Sequence, residues 1–311
     1  MSAGGAGGAA LLDMRRLEVF ARVVELGSFT RAGRALLLSQ PTVSEHVRSL
    51  EEALGERLLD RLGREVLPTP AGRLLHRYAA EILRLREEAA QALAGFHGRI
   101  EGRLTVGAST IPATYILPRL IGTFAALHRA VRVTLRTGDT GSVAAGVCAG
   151  DFEAGLIGSR SPERGLHLEP LFRDELVLAV PPHHPLAGRP EAPPEALFSA
   201  PFVSREEGSG TRAFMEEVLA GHGLDPGRLR VVAELGSTEA VREAVKAGVG
   251  LSILSRRAVE EDAARGALAL VSLAGLDFSR PIWLATREGR ALSPVAAAFA
   301  AHLRAASDLT P

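Results

Sequence analysis

The feature that most constrains this chain is the break between two helical patterns at residues 36–41, Leu-Leu-Leu-Ser-Gln-Pro. A serine can accept the free backbone N–H groups at the start of a helix. Proline is tolerated in the first helical turn, because its missing N–H would have no partner there. Ser39 and Pro41 therefore predict that a helix starts near Gln40.

A second break precedes it at Gly27-Ser28. Glycine readily ends a helix and serine caps the next one, so one helix is predicted over about 15–26 and another from Phe29. Leu17, Phe20 and Val24 are expected to face inwards from the first helix. Two short helices joined by a tight polar turn are typical of a helix-turn-helix motif.

The helix that starts near Gln40 has one apolar stripe, with residues spaced four, three and four apart: Val43, Val47, Leu50 and Leu54. This spacing predicts a buried face. The opposite face is short and polar in its N-terminal half, as in a recognition helix that enters a DNA major groove. Periodicity alone equally allows an ordinary helical hairpin with a solvated polar face.

Residues 58–69 are predicted to form two short strands around 62–64, a wing. Arg61 and Arg64 would then project towards the DNA backbone or a minor groove, although a solvated hairpin with two surface arginines is the alternative. The full set of residues predicted to contact DNA is Ser28, Thr30, Arg31, Ser39, Gln40, Pro41, Thr42, Ser44, Glu45, Arg48, Arg61 and Arg64.

Thr69-Pro70 is a start signal for a long helix. Apolar residues recur along it at heptad spacing: Tyr78, Ile82, Leu85, Ala89, Ala92 and Phe96. So narrow a stripe needs a partner helix, supplied either by the same chain or by a second copy.

Many residues between Arg15 and Gly72 occur in an order that resembles the N-terminal domain of the LysR-type transcriptional regulators. The matching points are Phe20, Gly27 to Thr30, Ala32, Ala35, Ser39-Gln40-Pro41, Val43-Ser44, Leu50-Glu51, Leu54-Gly55, Leu58-Leu59, Arg61 and Thr69-Pro70-x-Gly72. The rest of the chain matches that family in order and length. The resemblance implies a sequence-specific regulator of transcription, which responds to a small co-inducer and is not an enzyme.

The resemblance also implies domain bounds and partners. We expect a disordered tail at 1–14, a winged helix-turn-helix at 15–73, a linker and dimerisation helix at 74–98, and an effector-binding domain at 99–311. Double-stranded DNA with a dyad operator is the expected partner of a homodimer that assembles further into a homotetramer. RNA polymerase is a further candidate partner.

From Gly102 onwards the pattern alternates between strands and helices, which predicts a mostly parallel sheet. The first unit has strands at 103–108, 131–137 and 152–157 and helices at 112–127 and 142–149. The second has strands at 175–180, 200–204, 231–233 and 251–254 and helices at 211–222 and 238–247. The strand 281–286 and the helix 294–304 should return to the first unit.

The predicted fold class is therefore α+β: a winged helix-turn-helix, a long linker helix and a two-lobe α/β domain resembling a periplasmic binding protein. Lobe I is expected at about 102–174 and 281–311, and lobe II at about 175–280. Two crossovers between the lobes would make a hinged cleft.

Four hydroxyl-rich stretches come after predicted strands and beside predicted helix starts. Ligands of open parallel sheets bind at this edge, where helix N-termini present free N–H groups. Each stretch alone could be a simple N-cap, but four facing one cleft favour a small anion or carboxylate, with Arg205 and Arg212 nearby. The predicted effector residues are Ser109, Thr110, Asp139, Thr140, Ser204, Ser209, Gly210, Thr211 and Ser237.

The segment 208–212, Gly-Ser-Gly-Thr-Arg, is similar to that of LysR-type members linked to sulfur or selenium assimilation. The sequence contains no His/Cys cluster with metal-ligand spacing, no discernible catalytic set and no cofactor motif. The alternative function is a cytosolic small-anion-binding protein or α/β enzyme whose N-terminal helices only mediate assembly.

Composition limits these choices further. Lys+Arg and Asp+Glu both number 36, so no global positive field attracts nucleic acid and any DNA contact must be local. The single cysteine, Cys148, excludes an intramolecular disulfide and is interpreted as a packing residue rather than a redox sensor. No apolar run approaches the roughly 20 residues of a membrane span, and no secretory signal begins the chain, so we expect a cytoplasmic protein without a membrane partner.

Overall fold

The computed structural model describes residues 12–62, 65–96 and 100–308. By its internal contacts the chain divides after Leu93 into two compact units. Among the described helices, none combines the length and the apolar content that a membrane crossing needs.

The first unit contains three short helices, a hairpin and the long helix. The elements are α1 Met14–Leu26, α2 Phe29–Leu36, α3 Gln40–Leu54, β1 Leu59–Leu62, β2 Glu65–Pro68 and α4 Pro70–Phe96. β1 and β2 pair antiparallel, as predicted for the wing. The core is formed by side chains of the three short helices and the hairpin, including Leu17, Phe20, Val43, Val47 and Leu50.

The predicted helix starts of this unit are confirmed. Ser28 and Ser39 cap α2 and α3, each accepting a backbone N–H at 3.3 Å, from Arg31 and Thr42 respectively. Gly27 ends α1 in the left-handed conformation, with φ of 58°. These local signals need no tertiary contact to act, which is why the sequence reveals them.

The turn between α2 and α3 is strained at one residue. Leu37 has φ of 57° and is the one non-glycine residue with positive φ in the described ranges. Its side chain is 94% exposed, so packing does not compensate the strain.

The long helix α4 packs against the hairpin at its start and exposes apolar side chains along one face further on. The Thr69 hydroxyl accepts the Gly72 N–H at 3.0 Å, and a Cβ at Gly72 would lie 2.0 Å from the Leu58 carbonyl oxygen. Further along, Ile82 packs partly on the core, whereas Tyr78 and Leu85 are exposed by 59% and 49%. Of the other predicted seam residues, Ala89 is exposed, and the side chains of Ala92 and Phe96 lie outside those described.

In the second unit, lobe I is built on five strands in the spatial order Val131–Gly138, Gly102–Ser109, Ala154–Ile157, Ser279–Arg287 and Leu166–Val180. Its elements are β3 Gly102–Ser109, a π-helical turn Pro112–Ile116, α5 Leu117–Leu127, β4 Val131–Gly138, α6 Thr140–Ala149, β5 Ala154–Ile157, β12 Ser279–Arg287 and α10 Pro294–Ala305. β4, β3 and β5 run parallel. β12 pairs with β5 and α10 packs beside α5, so the C-terminal strand and helix return to lobe I as predicted.

Lobe II begins part-way along β6 Leu166–Val180, a strand of 15 residues that both lobes share. Its other elements are β7 Glu191–Ala192, β8 Pro201–Arg205, α7 Gly210–Gly221, β9 Arg230–Leu235, α8 Thr238–Lys246, β10 Ser252–Ser255, α9 Arg256–Ala264 and β11 Ala269–Leu273. The first half of β6 pairs with β12, and the second half with β10 and β11. β8 and β9 run parallel.

The prediction of a mostly parallel sheet was wrong where the lobes join, because β6 pairs antiparallel with β12, β10 and β11. The strand predicted at 175–180 begins at Leu166, and β11 and α9 were missed. Pro170 breaks the strand pattern, since proline cannot donate to a sheet ladder. The structure accommodates it at an irregularity, where the register shifts between Ile282 and Trp283 and Leu171 has no partner.

One segment of lobe I completes the core of lobe II. Ile111, which follows β3, is only 3% exposed and belongs to an apolar cluster with Val177, Val203 and Val241. Tyr115, from the π-helical turn, packs against the edge of the same cluster.

Candidate DNA interface and effector cleft

The polar face of α3 is open to solvent. Pro41, Glu45, Arg48 and Glu52 are exposed along it, opposite the buried stripe. Of the other predicted DNA contacts, Thr30, Arg31, Ser39, Gln40 and Thr42 are exposed, and Ser28 and Ser44 are half-buried. The Arg61 side chain and all of Arg64 lie outside the described residues.

The charges on this face form one small network. Arg48 Nη2 lies 2.5 Å from Glu45 Oε2, and Arg48 Nε lies 3.6 Å from Glu52 Oε1. The Ser49 hydroxyl donates to the other Glu45 oxygen at 3.3 Å. The hydrogen bond from Arg48 lowers the pKa of Glu45, so this carboxyl group is ionised at neutral pH.

A narrow cleft between lobes I and II gathers most of the predicted effector residues. Seven of the nine line it: Ser109, Thr110, Asp139, Thr140, Ser209, Gly210 and Thr211. They lie at the ends of β3 and β4 and at the starts of α6 and α7. The empty space among them, including its mouth, is about 240 Å³.

Two helix N-termini meet in this cleft. Asp139 caps α6 by accepting the Ser142 N–H at 2.8 Å, and Ser209 caps α7. Thr140, the first residue of α6, is 4% exposed, and its hydroxyl has no hydrogen-bond partner among the described residues. A Cβ at Gly210 would lie 2.4 Å from that hydroxyl, so only glycine allows the lobes to approach this closely.

The sequence did not reveal Arg280, which also lines the cleft. Its Nε and Nη2 donate to Asp174 Oδ2 at 3.0 and 2.9 Å, joining the two strands that connect the lobes. Nη1 donates to the Gly210 carbonyl at 3.0 Å and Nη2 to the Thr211 hydroxyl at 3.1 Å. Complete burial lowers the pKa of Arg280 and the Asp174 carboxylate opposes that shift, but a guanidinium still stays charged.

Arg205 is the second buried arginine of the cleft. Its Nε donates to Glu206 at 2.6 Å and its Nη1 to Thr238 at 2.6 Å, both within lobe II. Its Nη2 reaches across to the Thr110 hydroxyl of lobe I at 3.4 Å. Together with Asp139, the two arginine–carboxylate pairs leave the cleft with a formal charge of −1.

Three other residues lie elsewhere. Ser204 and Ser237, both predicted to bind the effector, are not among the residues lining the cleft. The Ser204 hydroxyl donates to the Arg205 carbonyl, and Ser237 caps α8. Arg212, expected nearby, is held by Glu216 and Glu234.

The only sequence signal for Arg280 is a single charge beside an apolar strand.

Within the described ranges, no group of three or more His, Cys, Asp or Glu side chains is placed to hold a metal ion. The Cys148 thiol lies 3.6 Å from the Arg164 carbonyl oxygen, and burial followed by the charge of Glu163 raises its pKa.

Two family models match the chain. One is described as a bacterial regulatory helix-turn-helix protein of the lysR family and covers residues 14–73. The other, the LysR substrate binding domain, covers residues 97–308. The chain belongs to the LysR family of transcriptional regulators.

Similar proteins with curated names are regulators as well. The HTH-type transcriptional regulator CysL of Bacillus subtilis is 34% identical over 86% of this chain and 88% of its own length. The RuBisCO operon transcriptional regulator of Allochromatium vinosum is 34% identical over 93% and 94%. The alternative of an enzyme with an N-terminal assembly domain is therefore overturned for this LysR-type regulator.

Solved structures agree on the fold. The regulatory domain of Synechocystis PCC6803 CcmR, in complex with 2-PG, is 30% identical with a TM-score of 0.62, covering 68% of this chain and all of that domain. Full-length CbnR bound to its target DNA is 23% identical with a TM-score of 0.69, covering 95% of this chain and 100% of CbnR. At this level of identity the similarity supports the fold and not the function. This LysR-type regulator thus joins a helix-turn-helix unit to a two-lobe α/β effector-binding domain.

Proposed function

We propose that two copies of this regulator join through α4 and place their α3 helices and wings on a dyad operator. The apolar side chains exposed along α4 support this pairing, because Tyr78, Leu85 and Leu93 are 59%, 49% and 70% exposed. A twofold dimer matches a palindromic site by symmetry. The proposal extends to homotetramers formed from two such dimers, to RNA polymerase as a further partner and to action in the cytoplasm.

The second part of the proposal is that the cleft binds a small anion. The observation that carries it is the Thr140 hydroxyl at the N-terminus of α6, which is buried and has no hydrogen-bond partner in the part of the chain that the structure describes. An unsatisfied buried hydroxyl is unfavourable, so a ligand that accepts its hydrogen bond would gain affinity. The start of α7 at Gly210 lies against the same atom.

An anion fits this place despite the formal charge of −1. Helix N-termini carry fractional positive charge and present free N–H groups, while hydroxyls donate without adding charge. Arg205 and Arg280 supply guanidinium groups at the wall. CcmR, whose regulatory domain was solved in complex with 2-PG, supports a small-molecule ligand for this related fold.

The test compares variants of the full-length protein by thermal melts with sulfate, thiosulfate, O-acetylserine or 2-PG. Thr140→Val replaces only the hydroxyl that has no partner among the described residues, so it should stabilise the free protein by about 1 kcal/mol. It should also weaken anion binding roughly tenfold or more. Thr211→Ala and Ser109→Ala should weaken it about ten- to a hundredfold.

The control is Ser237→Ala, which removes a hydroxyl beside a helix start as Thr211→Ala does, but one that caps its helix and lies outside the cleft. It should cost about 1 kcal/mol of stability and leave anion affinity unchanged. The anion site is refuted if none of the anions raises the melting temperature of the parent protein. Equal losses of affinity in Ser237→Ala and Thr211→Ala would refute it too.

Operator binding has a separate test. Full-length protein should bind a dyad fragment, selected from random DNA, at nanomolar concentrations, and lose affinity steeply as salt rises, because bound phosphates release counterions. Absence of any sequence preference would contradict the proposal.

A further inference from the structure

The outward face of α3 carries an unusual charge pattern for a surface that meets phosphates. Pro41, Glu45, Arg48 and Glu52 follow one another at four, three and four residues, and all are exposed. The face therefore has two carboxylates and one guanidinium. Carboxylates are repelled by phosphate oxygens, so neither Glu45 nor Glu52 can bind the DNA backbone.

Both carboxylate oxygens of Glu45 are hydrogen-bonded, whereas Glu52 has one longer contact. Arg48 Nη2 contacts one Glu45 oxygen at 2.5 Å and the Ser49 hydroxyl contacts the other at 3.3 Å. The contact between Arg48 and Glu52 is longer, at 3.6 Å. A side chain fixed from two sides loses less conformational entropy when it makes a further hydrogen bond.

The two carboxylates also differ in their position along α3. Base contacts of a recognition helix are made by its N-terminal residues. Glu45 is the sixth residue of α3, whereas Glu52 is the thirteenth of its fifteen. Glu45 is thus the carboxylate within reach of base edges.

The chemistry of the group then selects the base. An ionised carboxylate only accepts hydrogen bonds. In the major groove guanine presents two acceptors and thymine one, so both repel it, while adenine pairs its N6 donor with an N7 acceptor. Cytosine presents the N4 amino donor without an adjacent acceptor on the same base.

We propose that Glu45 is a specificity-determining residue of this regulator and accepts a hydrogen bond from the N4 amino group of a cytosine in each operator half-site. Arg48 acts as the positioning residue that holds the carboxylate. The inference rests on the proposed placement of α3 in the major groove.

The test is selection from a randomised DNA library by the full-length parent protein, by Glu45→Gln and by the matched control Glu52→Gln. Both variants remove one carboxylate from the same exposed face with little change of shape. The parent should select a cytosine at one position of each half-site. Glu45→Gln should change that preference to adenine, because glutamine pairs with adenine N6 and N7, with a swing of about ten- to a hundredfold in competition binding.

Glu52→Gln should keep the preference of the parent and bind all sequences slightly more tightly, as loss of a repelling charge predicts. If both variants tighten binding to all sequences alike and the preferred bases stay the same, the inference is overturned while operator binding stands. If the parent protein selects no sequence at all, the proposed operator binding fails and this inference falls with it.

Discussion

Replacing Arg280 by methionine should destabilise the effector-binding unit far more than replacing an exposed arginine. The Asp174 carboxylate is completely buried and, among the described residues, would keep only the Ser255 hydroxyl, at 2.6 Å, and a distant Arg257, at 3.9 Å. The Thr211 hydroxyl would also lose a donor. Removing one partner of a buried ion pair costs about 3 to 5 kcal/mol, because a charge stays buried without compensation.

For a unit of this size each kcal/mol lowers the melting temperature by roughly 2 to 4 °C, so Arg280→Met should lower it by roughly 6 to 20 °C. The neighbouring pair supplies the control. Arg256 and Glu175 lie 2.7 Å apart with side chains 38% and 49% exposed, and Glu175 follows Asp174 directly in β6. Arg256→Met should therefore cost less than about 1 kcal/mol.

Calorimetry of the full-length protein can follow the melting of both variants. The transition that shifts in Arg280→Met is assigned to the effector-binding unit. A double variant, Asp174→Asn with Arg280→Met, should lose less than the sum of the two single losses, because neither charge is left alone. Equal losses in Arg280→Met and Arg256→Met, or strictly additive losses in the double variant, would refute the reasoning.

Three further expectations concern other parts of the chain. Leu37→Gly should stabilise the first unit by about 0.5 to 1 kcal/mol in urea unfolding, since relief of left-handed strain exceeds the added entropy of the unfolded chain, and a loss of stability would contradict this. Gly72→Ala should destabilise the same unit by about 1 to 3 kcal/mol, because its Cβ would meet the Leu58 carbonyl at 2.0 Å. Gly122→Ala, where a Cβ meets no atom within 4 Å, should instead be neutral or stabilising. Cys148 has a raised pKa, so its thiolate fraction at pH 7 is below that of a free cysteine. Iodoacetamide should accordingly modify it slowly, with a rate that rises as pH approaches that pKa, and rapid labelling at pH 7 would revive a sensor role.

The parts of the fold that the sequence predicts are those with local causes. Ser28, Ser39 and Pro41 act on backbone groups within their own helical turn, so their meaning does not depend on the rest of the chain. The same holds for the hydroxyls of the cleft. Ser109 ends β3 and Thr140 comes two residues after β4, and parallel strands with helical crossovers bring such positions to one edge.

The parts that were missed depend on contacts far apart in sequence. Arg280 contacts Thr211, 69 residues away, and Asp174, 106 residues away, so no local pattern connects them. The first half of β6 was missed because Pro170 reads as a strand breaker unless the compensating irregularity opposite is known. The charge balance of the cleft likewise depends on which carboxylates fold against the arginines.

Because Ile111 of lobe I is buried in the core of lobe II, lobe II cannot be transferred to another regulator without a segment of lobe I. A lobe II taken from this chain without residues around Ile111 would leave an apolar socket among Val177, Val203 and Val241 open to water. An isoleucine side chain contributes roughly 1.5 to 3 kcal/mol when buried. Chimeric sensors that exchange lobes between regulators should therefore carry the segment from Ile111 to Tyr115 along with lobe II, and not cut the chain where the strands cross.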